Sequence, residues 1–215
     1  MLPFYGDLAA IGTIADIMLL EGENRRIVKA GLALLQQTER PGIAALIEAC
    51  GLGGKELTAE NVSFGLAPRL NAAGRMDSAA AALELLLCED PEEAEAIVAG
   101  LEAQNAARQK AEQDILQGVL DSVAADETYG ADRILVVWGR GYHQGVIGIV
   151  ASRVVERFGK PAIIVSVDEN GEGKGSGRSI AGVSLYNAIA ACGDLLIRFG
   201  GHALAAGLSV REENL

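Results

Sequence analysis

The apolar positions in the C-terminal part of the chain come in unbroken runs rather than in alternation. Residues 133–138 and 161–167 are largely apolar runs rich in β-branched residues, which predict two buried strands. Between them, apolar positions of 145–158 recur at helical spacing, and Gly159 stands where a helix-ending glycine belongs. Strand, helix and strand of this length predict a parallel pair joined by a crossover. The pattern continues with three more expected elements: a strand over 173–180, a helix over 184–192 and a short strand over 207–210.

The N-terminal part is patterned for helices instead. Helix start signals and apolar residues at helical spacing predict helices over 25–37, over 42–49, from residue 58 onward and over 78–87. Pro91 then opens a long run of strong helix formers with few apolar positions, which is typical of a helix that connects domains. We therefore predict the α/β class in three parts: a helical part over 1–90, a connecting helix over 91–130 and a mixed-sheet domain over 131–215.

The charge of the chain is uneven. The net charge is −11, but residues 84–127 contain twelve acidic and two basic residues, whereas 131–215 contain eight acidic and nine basic ones. The excess acid therefore lies on one segment, and the C-terminal part is free to receive an anion.

Targeting and redox signals are few. No apolar run reaches the length of a membrane span and no signal-peptide pattern is present, so no membrane partner is expected. Cys50, Cys88 and Cys192 are far apart and form no CxxC pair, which argues against disulfides and zinc and predicts the reducing cytoplasm. Because Met1 leads directly into an apolar segment, we expect the chain to begin inside a larger protein.

A glycine-rich stretch over 172–179 is the first candidate for chemistry. Gly173, Gly175 and Gly177 could let a backbone approach a ligand closely. Arg178 supplies a planar fork suited to phosphate, and the stretch also holds the hydroxyls of Ser176 and Ser179. A hairpin tip with incidental polar residues explains the same pattern equally well. A Walker A loop is excluded, because a glycine follows the lysine where that motif requires Ser or Thr.

Two histidines follow or precede predicted helices. His143 lies just before the crossover helix, and His202 follows Gly200 and Gly201 at the start of an expected short helix. Backbone N–H groups and the helix dipole at such a start favour an anion near His202. A capping or core role is the alternative for both histidines.

Acidic and basic residues also interrupt small or apolar segments near the N-terminus. Asp7 is explained as a helix N-cap, whereas Asp16 within an apolar run is either a cap or a ligand. Further on, Arg69, Asn71 and Arg75 stand among small residues. They either project towards a ligand or form a tight helix corner in which the arginines pair with Asp77 or Glu84.

Taken in order, the motifs of this chain resemble those of the RecJ family of the DHH phosphoesterase superfamily. The matching stretches are distributed over nearly the whole chain: 12–16 (GTIAD), 68–75 (PRLNAAGR), 141–153 (GYHQGVIGIVASR), 175–179 (GSGRS) and 200–207 (GGHALAAG). The second and third of these are specific to RecJ, whereas the first and last are shared with other DHH phosphoesterases.

The resemblance implies a function, which is metal-dependent 5′→3′ hydrolysis of single-stranded DNA in repair and recombination. It implies Asp16 as the catalytic metal ligand, for Mn²⁺ or Mg²⁺, and a monomer that holds its substrate through the 5′-phosphate. The implied phosphate- and DNA-binding residues are Ser176, Arg178, Gly201, His202, His143, Arg69, Asn71 and Arg75.

Several features of the family do not occur in this sequence: both aspartate motifs, the Asp-His-His signature and the following oligonucleotide-binding domain. Two-metal hydrolysis needs several hard ligands, so we expect this chain alone to be inactive. Two alternatives remain: a phosphoesterase of short oligoribonucleotides or cyclic dinucleotides, and a non-catalytic nucleic-acid-binding module.

Overall fold

The computed structural model describes residues 2–126 and 128–215, which form two compact units, one ending at Arg108 and the other beginning at Gln109. The first unit is helical, as predicted. Its elements are α1 (Leu2–Ala15), α2 (Gly22–Leu35), α3 (Pro41–Ala49), α4 (Ala59–Asn61), a π-helical turn (Val62–Leu66), α5 (Ala67–Met76), α6 (Ala80–Leu87) and the beginning of α7 (Pro91–Ala125).

Asp7 is a buried ion-pair partner, so its prediction as an N-cap was wrong. It lies in the middle of α1 with 7% of its surface exposed. Arg40 Nε donates to Asp7 Oδ2 at 2.8 Å, and Arg40 Nη2 donates to the Phe4 carbonyl at 2.7 Å. A buried carboxylate is costly unless it is paired, and this pair supplies the compensation.

Helix α7 is less of a bare connector than its polar sequence indicates. Val98 and Leu101 are buried in the core of the first unit, whereas Ile115 and Val119 are buried beyond the point where the second unit begins. In the second unit, Arg153 Nε donates to Glu112 Oε1 at 3.3 Å. The helix therefore contributes to a core at each end. No helix among the described residues is long and apolar enough to cross a membrane.

The second unit is built on a five-stranded mixed sheet, which confirms the predicted class. Its strand order is β1-β2-β3-β5-β4, with β1 and β2 parallel and the other pairs antiparallel. The elements after α7 are α8 (Thr128–Ala131), β1 (Leu135–Arg140), α9 (Ile147–Phe158), β2 (Ala162–Val167), β3 (Glu172–Arg178), α10 (Leu185–Ala190), β4 (Leu196–Gly201) and β5 (Ala205–Arg211).

The two faces of this sheet are covered by different helices. On β3, Lys174, Ser176 and Arg178 share one face, because side chains alternate along a strand. That face also carries α9, whose Gly148 lies against Ser176 and Arg178, and we call it the α9 face. The opposite face, called the α10 face, contacts α10 through Leu185 and Ile189.

Candidate phosphate-binding site

The glycines of β3 make room for the core rather than for a ligand. Gly173, Gly175 and Gly177 all point to the α10 face and are buried. A Cβ added to Gly175 would lie 2.9 Å from Leu208 Cδ1, and one added to Gly177 would lie 2.6 Å from Leu185 Cδ2. Bulky side chains of neighbouring elements fill the space above the strand. The expectation that Gly175 and Gly177 admit a ligand was therefore wrong.

The polar residues of the same strand point the other way. Arg178 Nη1 donates to Ser176 Oγ at 3.2 Å and to the Gly177 carbonyl at 2.9 Å. Both Ser176 and Arg178 are partly exposed, which keeps a hydroxyl and a guanidinium side by side at the surface. Ser179 is engaged differently, since its hydroxyl donates to the Val183 carbonyl at 2.8 Å and closes a turn.

Gly148 is a residue of this site that the sequence analysis did not single out. It stands in the first turn of α9, where a Cβ would lie 2.9 Å from Ser176 Oγ and 3.1 Å from Arg178 Nη2. Its lack of a side chain brings the positive end of the helix dipole next to both groups. The available signal was a glycine inside a helix, where it lowers stability relative to alanine unless packing requires it.

His202 lies in the connection between β4 and β5, not at the start of a helix. The His202 backbone N–H donates to the Ala205 carbonyl at 2.8 Å, and Nδ1 accepts from the Leu204 N–H at 3.3 Å. The expected helix was wrong, because Gly200 and Gly201 end strand β4, which pairs with β5. No helix dipole therefore favours an anion at this position, and the exposed imidazole is what His202 offers. Since Nδ1 accepts a bond, Nε2 carries the proton of the neutral ring.

Gly201 is required by the backbone at this turn. Its φ of +143° is one that L side chains rarely adopt, and a Cβ would lie 2.4 Å from the Ala205 carbonyl oxygen. A contact between Gly201 and a ligand stays a prediction.

The register of the sheet brings the two motifs to the same end. Gly177 pairs with Ala206, which pairs with Gly201, so two strand spacings, roughly 10 Å, separate the neighbours of Arg178 and His202. A guanidinium, a hydroxyl and an imidazole thus stand around one end of the sheet. These groups hydrogen-bond anionic oxygens.

His143 has a capping role. Its Nδ1 accepts from the Gly145 N–H at 3.2 Å, and its carbonyl accepts from the N–H groups of Val146 at 2.9 Å and Ile147 at 3.2 Å. The residue therefore closes the turn that leads into α9, which was the alternative weighed for it. Contact with DNA through its partly exposed ring stays a prediction.

Asp16 lies at the surface directly after α1. Its N–H donates to the Gly12 carbonyl at 3.0 Å, and its side chain is exposed. The apolar run that follows is exposed too, with Ile17 at φ +54° and 88% accessible. Within residues 2–126 and 128–215, no group of three or more His, Cys, Asp or Glu side chains is arranged to hold a metal ion. One carboxylate suits Mg²⁺ or Mn²⁺ as a ligand but does not make a two-metal site.

Arg69 is tied into the first unit. Its Nε and Nη2 donate to Glu102 Oε1 at 3.2 and 3.1 Å, and its Nη1 donates to the Gly65 carbonyl at 3.0 Å. The partner is neither Asp77 nor Glu84, so that detail of the helix-corner alternative was wrong. Glu102 is half-buried in this pair.

Asn71 and Arg75 lie on the exposed side of α5. They are four residues apart in the helix, so their side chains occupy neighbouring positions on one face. Arg69 takes part in a carboxylate pair, whereas these two side chains face solvent. A DNA-contacting role for Asn71 and Arg75 stays a prediction.

Comparison with known proteins identifies relatives over nearly the whole chain. Residues 131–215 match the DHHA1 domain. The single-stranded-DNA-specific exonuclease RecJ of Bacillus subtilis is 44% identical over 211 residues, which is 97% of this chain and 26% of that protein. RecJ of Thermus thermophilus is 43% identical over 208 residues, which is 97% of this chain and 29% of that protein. The chain thus spans about a quarter to a third of the length of these relatives.

Solved structures show the same relationship. The crystal structure of Thermus thermophilus RecJ with Mg²⁺ matches with a TM-score of 0.86 at 42% identity, covering 97% of this chain and 32% of that one. A crystal structure of exonuclease RecJ bound to manganese matches with a TM-score of 0.83 at 42% identity, covering 97% of this chain and 51% of that one.

Proposed function

We propose, on the premise that this chain belongs to the RecJ family, that it is the phosphate-gripping part of a metal-dependent 5′→3′ exonuclease acting on single-stranded DNA. The observation that carries the proposal is the placement of Ser176, Arg178 and His202 at one end of the sheet. The 5′-phosphate of the strand is the group that these side chains hold. The parent protein acts as a cytoplasmic monomer in DNA repair and recombination.

Each side chain of this phosphate cradle (Ser176, Arg178 and His202) has a distinct part. Arg178 offers a planar fork for two phosphate oxygens, and its bond to Ser176 Oγ keeps the fork oriented. Ser176 donates its hydroxyl, and His202 donates from Nε2. The first turn of α9 adds the favourable dipole at Gly148. Together these groups hold the terminal phosphate in register, which is the positioning contribution to catalysis.

Divalent cations supply the activated water and charge stabilisation in two-metal phosphodiester hydrolysis. Asp16 would hold one such ion. The described residues do not complete that site, so we assign no chemical step to them. Asn71 and Arg75 contact the nucleotide, and Arg69 positions α5 through its pair with Glu102.

The proposal predicts that the chain by itself is not a nuclease, because one aspartate cannot hold two ions. Incubation with 5′-phosphorylated single-stranded DNA and Mn²⁺ should release no mononucleotides above background. Robust release that Asp16→Asn abolishes would contradict this proposal.

The cradle is tested through the affinity for a single phosphate group, measured with thymidine 5′-monophosphate by NMR titration. Charge-assisted hydrogen bonds are worth roughly 1.5–3 kcal/mol each, so Arg178→Ala should weaken binding about ten- to a hundredfold. Arg178→Lys should recover part of the loss, because a point charge lacks the fork. Arg133→Ala removes an exposed charge just before β1 and should leave affinity unchanged. Equal affinity of Arg178→Ala and the unchanged chain would refute the cradle.

A further inference from the structure

Lys174 stands on the α9 face beside the cradle but takes no part in it. It is two residues before Ser176 on β3, so its Cα lies roughly 7 Å from that of Ser176 on the same side of the sheet. Its side chain is exposed. Lys174 is therefore a second cation on the same strand and the same face as Arg178.

Two further polar residues continue from Lys174 across the sheet. Ser209 of β5 pairs directly with Lys174 on one side and with Arg198 of β4 on the other. Arg198 Nε donates to Ser209 Oγ at 3.2 Å, and Ser209 is only 2% exposed. Since directly opposed side chains share a face, Lys174, Ser209 and Arg198 form one row across three strands.

The surface between this row and the cradle is flat. Gly207 pairs with Ser176 and Gly200 pairs with Gly207, and both glycines are exposed. A Cβ on Gly200 would meet nothing within 4 Å, and one on Gly207 would meet only the Gly175 carbonyl oxygen at 3.7 Å. No side chain therefore stands between the two polar clusters on these strands.

The charges near the row leave it cationic. Asp168 is the acid near Lys174, and its pKa is held below the usual value mainly by the Glu172 backbone N–H, with a smaller contribution from Lys174. Glu172 lies directly opposite Arg211 at the far end of β3, so the negative charge of Glu172 is balanced by the positive charge of Arg211. Lys174 and Arg198 remain as the cations facing the glycine floor.

The geometry points to a second phosphate subsite, formed by Lys174 and Arg198 with the buried Ser209 orienting Arg198, that binds the backbone of a single-stranded nucleic acid further along from the cradle. Lys174 and Arg178 are four residues apart, roughly 13 Å. Charges on one strand of B-DNA follow every 3.4 Å or so along the axis, so these two side chains contact different phosphates. The inference rests on the proposed function, because the cradle holds the first phosphate.

Phosphate contacts position a strand without reading its bases. The subsite is therefore expected to bind a thymidine octamer and a deoxyadenosine octamer alike. A strong preference for one sequence at this row would contradict the assignment.

The test compares ligands with one phosphate and with several. The variant Lys174→Gln/Arg198→Gln removes both cations and leaves polar side chains, and Arg133→Gln is the control that removes one exposed cation near the opposite edge of the sheet. Binding of 5′-phosphorylated (dT)8 is measured by fluorescence anisotropy from 50 to 200 mM NaCl. Binding of thymidine 5′-monophosphate is measured by NMR titration. Melting temperatures check that each variant is folded.

We expect the double variant to bind the octamer about tenfold more weakly at 50 mM salt. The slope of log K against log salt should shrink by about 0.7 for each phosphate that the variant no longer neutralises, while mononucleotide affinity stays unchanged. Octamer affinity and slope equal to those of Arg133→Gln would overturn the subsite. So would octamer binding too weak to measure in the unchanged chain. Failure of the cradle appears separately, as mononucleotide binding that Arg178→Ala does not weaken.

Discussion

Arg69 in the first unit and Arg178 in the second both come from stretches rich in small residues, yet the structure uses them differently. Arg69 donates to the carboxylate of Glu102, which neutralises its charge inside a helical unit. The bonds from Arg178 Nη1 go to the neutral oxygens of Ser176 and Gly177. A bond to a carboxylate holds elements together and neutralises the arginine, whereas bonds to neutral oxygens orient the guanidinium group.

The same contrast extends to the glycines of the two sheet faces. On the α10 face, glycines are buried because neighbouring side chains occupy their space. On the α9 face, Gly200 and Gly207 are exposed and leave a flat floor. The glycines of this sheet thus lie either on a packed side or on an exposed side, and variants can test the two separately.

The largest expected effect distinguishes two adjacent glycines. Gly201→Ala places a Cβ 2.4 Å from the Ala205 carbonyl oxygen at φ +143°, and we expect it to lower the free energy of unfolding by about 3 kcal/mol. Gly200→Ala meets nothing within 4 Å and should stay within about 0.5 kcal/mol. Urea denaturation measures both. Similar losses for the two variants would show that the turn does not constrain Gly201.

Gly177→Val tests whether the glycines of β3 serve the packing of the core. The added side chain meets Leu185 Cδ2 and Ile163 Cγ1, so overpacking should cost about 2 kcal/mol of unfolding free energy. Affinity of the folded protein for thymidine 5′-monophosphate should change little, because the substitution is on the α10 face. Unchanged stability combined with lost phosphate binding would contradict this assignment and would indicate that Gly177 contacts the ligand instead.

The pair between Arg69 and Glu102 should make a smaller contribution. Its side chains are 21% and 43% exposed, so we expect Glu102→Gln to cost about 1 kcal/mol. Glu95→Gln, on the exposed side of α7, should cost no more than about 0.5 kcal/mol. A double-mutant cycle with Arg69→Gln isolates the pair. Additive losses would mean that the ion pair contributes nothing.

The smallest effect concerns Cys50 beside this pair. Burial raises the pKa of the Cys50 thiol, while Arg69 pulls that pKa down and Glu102 pushes it up. Arg69→Gln should therefore raise the pKa further and slow alkylation by iodoacetamide at pH 8, whereas Glu102→Gln should speed it. The exposed Cys192 serves as the internal reference. Alkylation rates at Cys50 that change in neither variant would show that the charges of Arg69 and Glu102 do not affect the thiol.

Much of the fold follows from local patterns. The β-branched runs predicted β1 and β2, helical periodicity with Gly159 predicted α9, and the run of helix formers after Pro91 predicted α7. These elements were predictable because their apolar positions recur at the period of their own structure. The ordered motifs also indicated the family, since residue identity and spacing do not depend on packing.

The remaining features of the fold and of the candidate site depend on contacts between residues that are distant in the sequence. Gly200 and Gly201 belong to a strand because they pair with β5, although nothing local distinguishes them from a helix start. The partner of Arg69 lies 33 residues away, on another helix. The alternation along β3 separates its glycines from Lys174, Ser176 and Arg178, but only α10 and α9 determine which side is filled. Periodicity is a property of residues that are close in the sequence, whereas burial depends on which elements the folded chain brings together.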